Sequence, residues 1–111
     1  MWTGIRQIGA NKPLGDIGKA IGTFARRNRY TLLQNLASHG VGHSLHEEPT
    51  EIATWPVQSE RRIMNEGLVF TVEPFLSLGG RVAVDAPQND GFTLHAHPRA
   101  ATRGKNYGFI N

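Results

Sequence analysis

Apolar residues recur at helical spacing from Leu14 onward. Leu14, Ile17, Ile21, Phe24 and Ala25 lie three or four residues apart, which stacks them on one face while Lys19, Arg26 and Asn28 fall elsewhere. The pattern predicts an amphipathic helix. Pro13 suits its start, Asp16 can cap its first turn, and Arg26, Arg27 and Arg29 suit the negative end of its dipole. Upstream, Trp2, Ile5 and Ile8 have the spacing of the end of another helix, broken at Gly9, so the chain reads as beginning inside an element. Downstream the period changes. Tyr30 to Ala37 is short and apolar-rich and predicts a strand, ending where Ser38, Gly40 and Gly42 impose loop geometry. Leu68-Val69-Phe70-Thr71-Val72 is the clearest strand, β-branched and aromatic, preceded by the turn Asn65-Glu66-Gly67 and stopped by Pro74. Arg81 to Val84 and Gly91 to His95 are two further short strands, and Glu60, Arg61 and Arg62 read as a short exposed helix before the turn. The layout is α+β, helix first and short antiparallel strands after it, with no internal repeat.

Length limits this layout to one domain, since 111 residues cannot enclose two cores of ordinary size. A hydrophobic share of 39% and a charged share of 19% are those of a globular chain, and 13 Gly with 6 Pro imply much turn and loop. No apolar run approaches the ~18–20 residues that cross a bilayer, so no membrane span is expected. Met1 to Arg6 opens no signal peptide, and with zero cysteines the default compartment is cytoplasmic. The same count removes a disulfide framework, a Cys-ligated metal and a thiol nucleophile. A net charge of +3 brings only one basic cluster, Arg26, Arg27 and Arg29. Without a longer basic stripe or interleaved aromatics it reads as a solvated helix end, and no specific nucleic acid is expected as partner.

Candidate chemistry concentrates in two places. Ser38-His39-Gly40-Val41-Gly42-His43-Ser44-Leu45-His46-Glu47-Glu48-Pro49 holds three of the five histidines in a stretch too polar and Gly-rich for an ordinary core segment. Imidazoles with carboxylates form a borderline-metal ligand set, and glycines let the backbone bend so that side chains converge. The spacing is not the helical H-E-x-x-H of zinc proteases, because Gly40 and Gly42 oppose a helix. The plainer reading is a surface loop that happens to contain histidines. The second place is Glu73, which ends an apolar strand directly before Pro74. A carboxylate buried there must be hydrogen-bonded, ion-paired or metal-bound, whereas an exposed one is a solvated strand end. Paired with His39, it would supply a hard oxygen and an imidazole suited to Mn, Fe, Co or Zn.

These residues carry a resemblance. His39-Gly40-Val41-Gly42, Leu45-His46-Glu47-Glu48-Pro49 and Glu66-Gly67-Leu68-Val69-Phe70-Thr71-Val72-Glu73-Pro74-Phe75 resemble the successive signatures of type I methionine aminopeptidases, M24 metallopeptidases of pita-bread fold. Leu14-Gly15-Asp16-Ile17-Gly18-Lys19-Ala20-Ile21 resembles the family's segment between its metal-binding halves, and the likeness runs in order over roughly residues 2 to 95. The resemblance implies an α+β, partial pita-bread fold and a metallo-aminopeptidase that removes the initiator methionine from nascent polypeptide N-termini, in possible proximity to the ribosome. It implies hydrolysis on two divalent metal ions (Mn, Fe, Co or Zn) sharing a bridging water or hydroxide. Residue by residue, His39 would be the His metal ligand and Glu73 the first Glu ligand. His46 would be the uncoordinated catalytic histidine that contacts the scissile peptide, His43 would stand where the family varies, and Phe92 would line the methionine pocket.

The sequence also departs from the family. Its two Asp ligands lie upstream of the first helix, in residues this chain does not include, and the tail from about 96 to 111 diverges: if Tyr107 matches the aromatic before the last Glu ligand, Gly108 stands where that Glu would be. The resemblance thus implies a single partial M24 domain over 1–111, a C-terminal portion with at most weak single-site metal binding and little or no peptidase activity alone. A half-pita would also leave Val69, Phe70 and Val72 partly exposed, with marginal solubility. Two alternatives remain: a ligand-poor pita-bread pseudoenzyme acting as a peptide- or ribosome-binding module, and an unrelated metal-binding protein using His39, His43 and His46.

Overall fold

The computed structural model describes residues 1–85 and 94–96, and the backbone of a last strand at 109–110. The apolar stripe beginning at Leu14 forms helix α2, Gly15–Arg27, with Ile17, Ile21 and Ala25 buried along one side and Leu14 buried just before it. Phe24 departs from the expected stripe. It sits at the edge of the apolar face and is 45% exposed. Asp16 lies in the first turn but makes no side-chain cap; it can complement the dipole there without closing an amide. The short helix α1, Trp2–Ile5, meets α2 through Gly4, whose missing side chain leaves room for Ile21.

Among the described residues seven short strands follow: β1 (Thr31–Leu32), β2 (Ser38–Gly40), β3 (Glu47–Ile52), β4 (Leu76–Ser77), β5 (Ala83–Asp85), β6 (Leu94–Ala96) and β7 (Phe109–Ile110). They form a sheet of order β1-β4-β7 and two antiparallel pairs, β2 with β3 and β5 with β6. The sheet has an apolar cluster on each face, because successive strand residues point to opposite sides. Leu32 and Leu76 join Leu14, Ile17, Ile21, Ala25, Ile52 and Met64 on the helix side. Their neighbours Leu33 and Phe75 join Ala83 and Ala96 of the β5–β6 hairpin on the other. This is the expected α+β layout of one long helix with short antiparallel strands.

Three local expectations are corrected. The strand expected over Tyr30 to Ala37 is confined to β1, after which Leu33 donates to Phe75 O and Gln34 to Arg81 O while Asn35 grips Ala83 through both amide atoms. Ser38 to Gly40, expected to turn the chain, is instead strand β2, because glycine permits a very close approach: a Cβ on Gly40 would sit 2.1 Å from Glu48 O. Its partner β3 is a polar strand that hydropathy does not announce. Finally, Glu60 to Arg62 is not helical. Leu14 N–H takes Arg62 O, the Arg62 amide takes the Glu60 carboxylate, and Met64 N–H reaches Lys12 O, so the segment lies alongside residues 12–14. The Arg62 guanidinium holds Glu60 at 2.6 Å and also donates to the Thr50 and Glu51 carbonyls of β3. Those hydrogen bonds keep the Glu60 carboxyl below the usual carboxylate range and raise Arg62 further.

Candidate metal centre

Leu68 to Val72, expected as a full strand, is extended but pairs through only a few bonds. Val41 N–H donates to Val69 O and Thr71 N–H to His39 O, either side of a single bridge between Gly40 and Phe70. The remaining donors nearby are taken by hydroxyls in place of carbonyls. His39 N–H donates to Thr71 Oγ1 at 3.1 Å and Glu73 N–H to Ser38 Oγ at 3.0 Å. Hydroxyl-for-carbonyl exchange interrupts the ladder that a regular strand would need, yet it locks this segment to one edge of β2 while β3 occupies the other. His39 therefore lies on a central strand rather than in a loop.

The register places His39 directly opposite Thr71, and Glu73 two residues on faces the same side. His39 Nε2 and Glu73 Oε1 meet at 3.2 Å, with the imidazole 15% exposed and the carboxylate 39% exposed. His39 Nδ1 is 2.8 Å from Gly40 O. A carbonyl can only accept, so the proton is assigned to Nδ1, and Nε2 is left to face the carboxylate. Thr71 Oγ1 donates to that same Glu73 Oε1 at 2.7 Å.

A bare imidazole nitrogen and a carboxylate oxygen repel unless a cation, proton or metal lies between them. Donors 3.2 Å apart can both reach one ion at the ~2.0–2.2 Å bond lengths of N and O ligands. The second nitrogen of a metal-bound His is usually held by a carbonyl or carboxylate, as Gly40 O holds this one. The pair thus fits part of a divalent-metal site. No group of three or more candidate ligands occurs among the described residues, so His39, His43 and His46 form no trio.

His46 comes from the six-residue loop 41–46 between β2 and β3, whose end pairs are Gly40 and Glu47. Glu47 Oε1 accepts from Ser44 N–H at 2.7 Å and folds the loop back. The exposed His46 ring lies with its centroid 4.0 Å from that of His39, tilted by 36°. His43 is exposed on the same loop. Phe92 and the Tyr107–Gly108 position lie outside the described residues. Thus the structure brings together His39, Glu73 and His46. Sequence reading missed Ser38 and Thr71; their one signal was the alternation that sets Thr71 and Glu73 on one face of an extended segment.

Residues 1–99 match the family described as Metallopeptidase family M24. The chain is similar to the methionine aminopeptidase of Staphylococcus epidermidis, 38% identical over 73 residues that make up 66% of this chain and 29% of that protein. Likeness to methionine aminopeptidase 2 of Bacillus subtilis is 34% over 91 residues, 82% of this chain and 36% of that one. The crystal structure of the methionine aminopeptidase from Rickettsia prowazekii superposes with a TM-score of 0.74 at 30% identity, covering 84% of this chain and 37% of that one. The chain spans about a third of the length of the curated relatives it matches. No helix among the described residues is long and apolar enough to cross a membrane. With a match over most of its length and the same fold as a solved aminopeptidase, the chain belongs to the M24 metallopeptidases and carries part of their pita-bread fold.

Proposed function

We propose that this chain carries the His39–Glu73 half of a methionine aminopeptidase centre, which in a complete protein removes the initiator methionine from nascent polypeptides. The observation behind this reading is the convergence of His39 Nε2 and Glu73 Oε1 at 3.2 Å, with Nδ1 already occupied by Gly40 O. His39 and Glu73 would hold one divalent ion, Mn, Fe, Co or Zn. Such an ion lowers the pKa of a bound water and polarises a carbonyl. His46, exposed beside His39, would hydrogen-bond a peptide group of the substrate and stabilise charge developing on it.

Two protein donors leave most of a coordination sphere to water, so the 111 residues alone would bind metal weakly and hydrolyse little. Cobalt(II) titration tests the ligand assignment. His39→Ala and Glu73→Ala should abolish saturable binding and His43→Ala should leave it unchanged; equal losses at His43 and His39 would overturn the assignment. For activity, the purified chain with Mn(II) or Co(II) should release no methionine from a Met-Ala peptide above the His39→Ala background. Metal-dependent release would refute the claim of inactivity.

A further inference from the structure

Thr71 is joined to both donors of the pair at once. Its hydroxyl accepts from the His39 backbone N–H at 3.1 Å and donates to Glu73 Oε1 at 2.7 Å, the oxygen that faces His39 Nε2. A hydroxyl has one proton, and the shorter of its two donor contacts is to the carboxylate rather than to His39 O at 3.3 Å. One lone pair of Oε1 is therefore committed to Thr71, while the same oxygen stands 3.2 Å from His39 Nε2. The Glu73 backbone is fixed separately, by its N–H on Ser38 Oγ, and Ser38 is 1% exposed. We infer that Thr71 is a positioning residue. It orients the Glu73 carboxylate toward His39 Nε2 and ties that orientation to the strand that carries His39.

The physical argument is entropic and electrostatic. A half-exposed glutamate samples several rotamers, and holding it in one costs free energy whenever an ion binds. A hydroxyl donor that holds the carboxylate beforehand removes part of that cost, and partners of this kind change metal affinity by about ten- to a hundred-fold when lost. Valine at position 71 keeps the β-branched shape but can neither donate nor accept, whereas serine keeps the hydroxyl.

This inference rests on the reading of His39 and Glu73 as metal ligands, and one series separates the two. Cobalt(II) binding is measured by titration and by visible absorption for the wild-type chain, Thr71→Val, Thr71→Ser and Glu73→Ala, with metal-free thermal melts of each. The expected result is at least roughly ten-fold weaker binding and an altered cobalt spectrum in Thr71→Val. Thr71→Ser should restore both and melt as the wild type does, whereas Thr71→Val should melt somewhat lower because the His39 amide loses its acceptor, so binding is compared well below every melt. Thr71→Val binding cobalt as the wild type does would overturn the inference and leave the ligand assignment standing, as would a loss that serine does not restore. A wild-type chain that binds no more cobalt than Glu73→Ala would overturn both.

Discussion

At the scale of single residues the site depends on how closely β2 can be approached. Gly40 faces the β3 backbone so tightly that a Cβ would fall 2.1 Å from Glu48 O and 2.4 Å from Glu48 C. Those are main-chain atoms in a paired strand and cannot rotate away. Gly40→Ala should therefore pry β3 from β2 and destabilise the fold by about 1–3 kcal/mol, as overpacking does. Equilibrium denaturation would detect this, and an unchanged midpoint would mean that the strands are looser than described. The same displacement would shift His39, so cobalt binding should weaken in this variant too. His39 and Glu73, which the fold brings together, stand out in the sequence because their surroundings are unusual: Gly40 and Gly42 follow the one, and the other is a carboxylate that ends an apolar run. Ser38 and Thr71 do not, since a serine and a threonine in a strand are ordinary, and only the register of 39–41 against 69–71 makes them partners of His39 and Glu73.

Among the elements, legibility follows how much of the stabilisation is local. Helix α2 could be read directly because its buried side chains recur every three or four residues. Strand β3 could not, since Glu-Glu-Pro-Thr-Glu-Ile shows no apolar alternation and buries only Ile52. Its pairing is fixed from outside, by the bare backbone of Gly40 on one side and by Arg62 on the other. The Arg62 guanidinium joins two β3 carbonyls to Glu60, so this interaction carries a pH signature. Hydrogen bonds from Arg62 lower the Glu60 pKa in the folded chain. A lowered carboxylate pKa adds stability that is present above the unfolded value of about 4.3 and is lost as pH falls through the folded value. Wild-type stability should thus fall as pH drops through and below the unfolded glutamate value, and Glu60→Gln should fall less over that window. The difference should be about 1 kcal/mol or less, because the Arg62 side chain is 41% exposed. Urea midpoints at several pH values would show it; parallel curves for the two proteins would contradict it.

Across the whole molecule, the apolar edge at residues 68–72 matters most for behaviour in solution. Val69 is 62% exposed beside Phe70 and Val72, which are half-buried against the helix-side cluster. An extended segment with an apolar side chain in water invites pairing with another chain. The isolated chain should therefore associate as concentration rises, and Val69→Glu should shift it toward monomer without lowering its melting temperature. Light scattering coupled to gel filtration would report this; a wild-type monomer at every concentration would refute it. The alternating side chains at Leu32 and Leu33 act at the same scale. Adjacent residues supply the two clusters on opposite faces of one sheet, and the Leu33 amide is itself bonded to Phe75 O. Neither cluster can come apart without pulling on the strand that serves the other, so the two should melt as one cooperative unit, and hydrogen exchange should find the Leu33 amide proton released only when the whole fold opens.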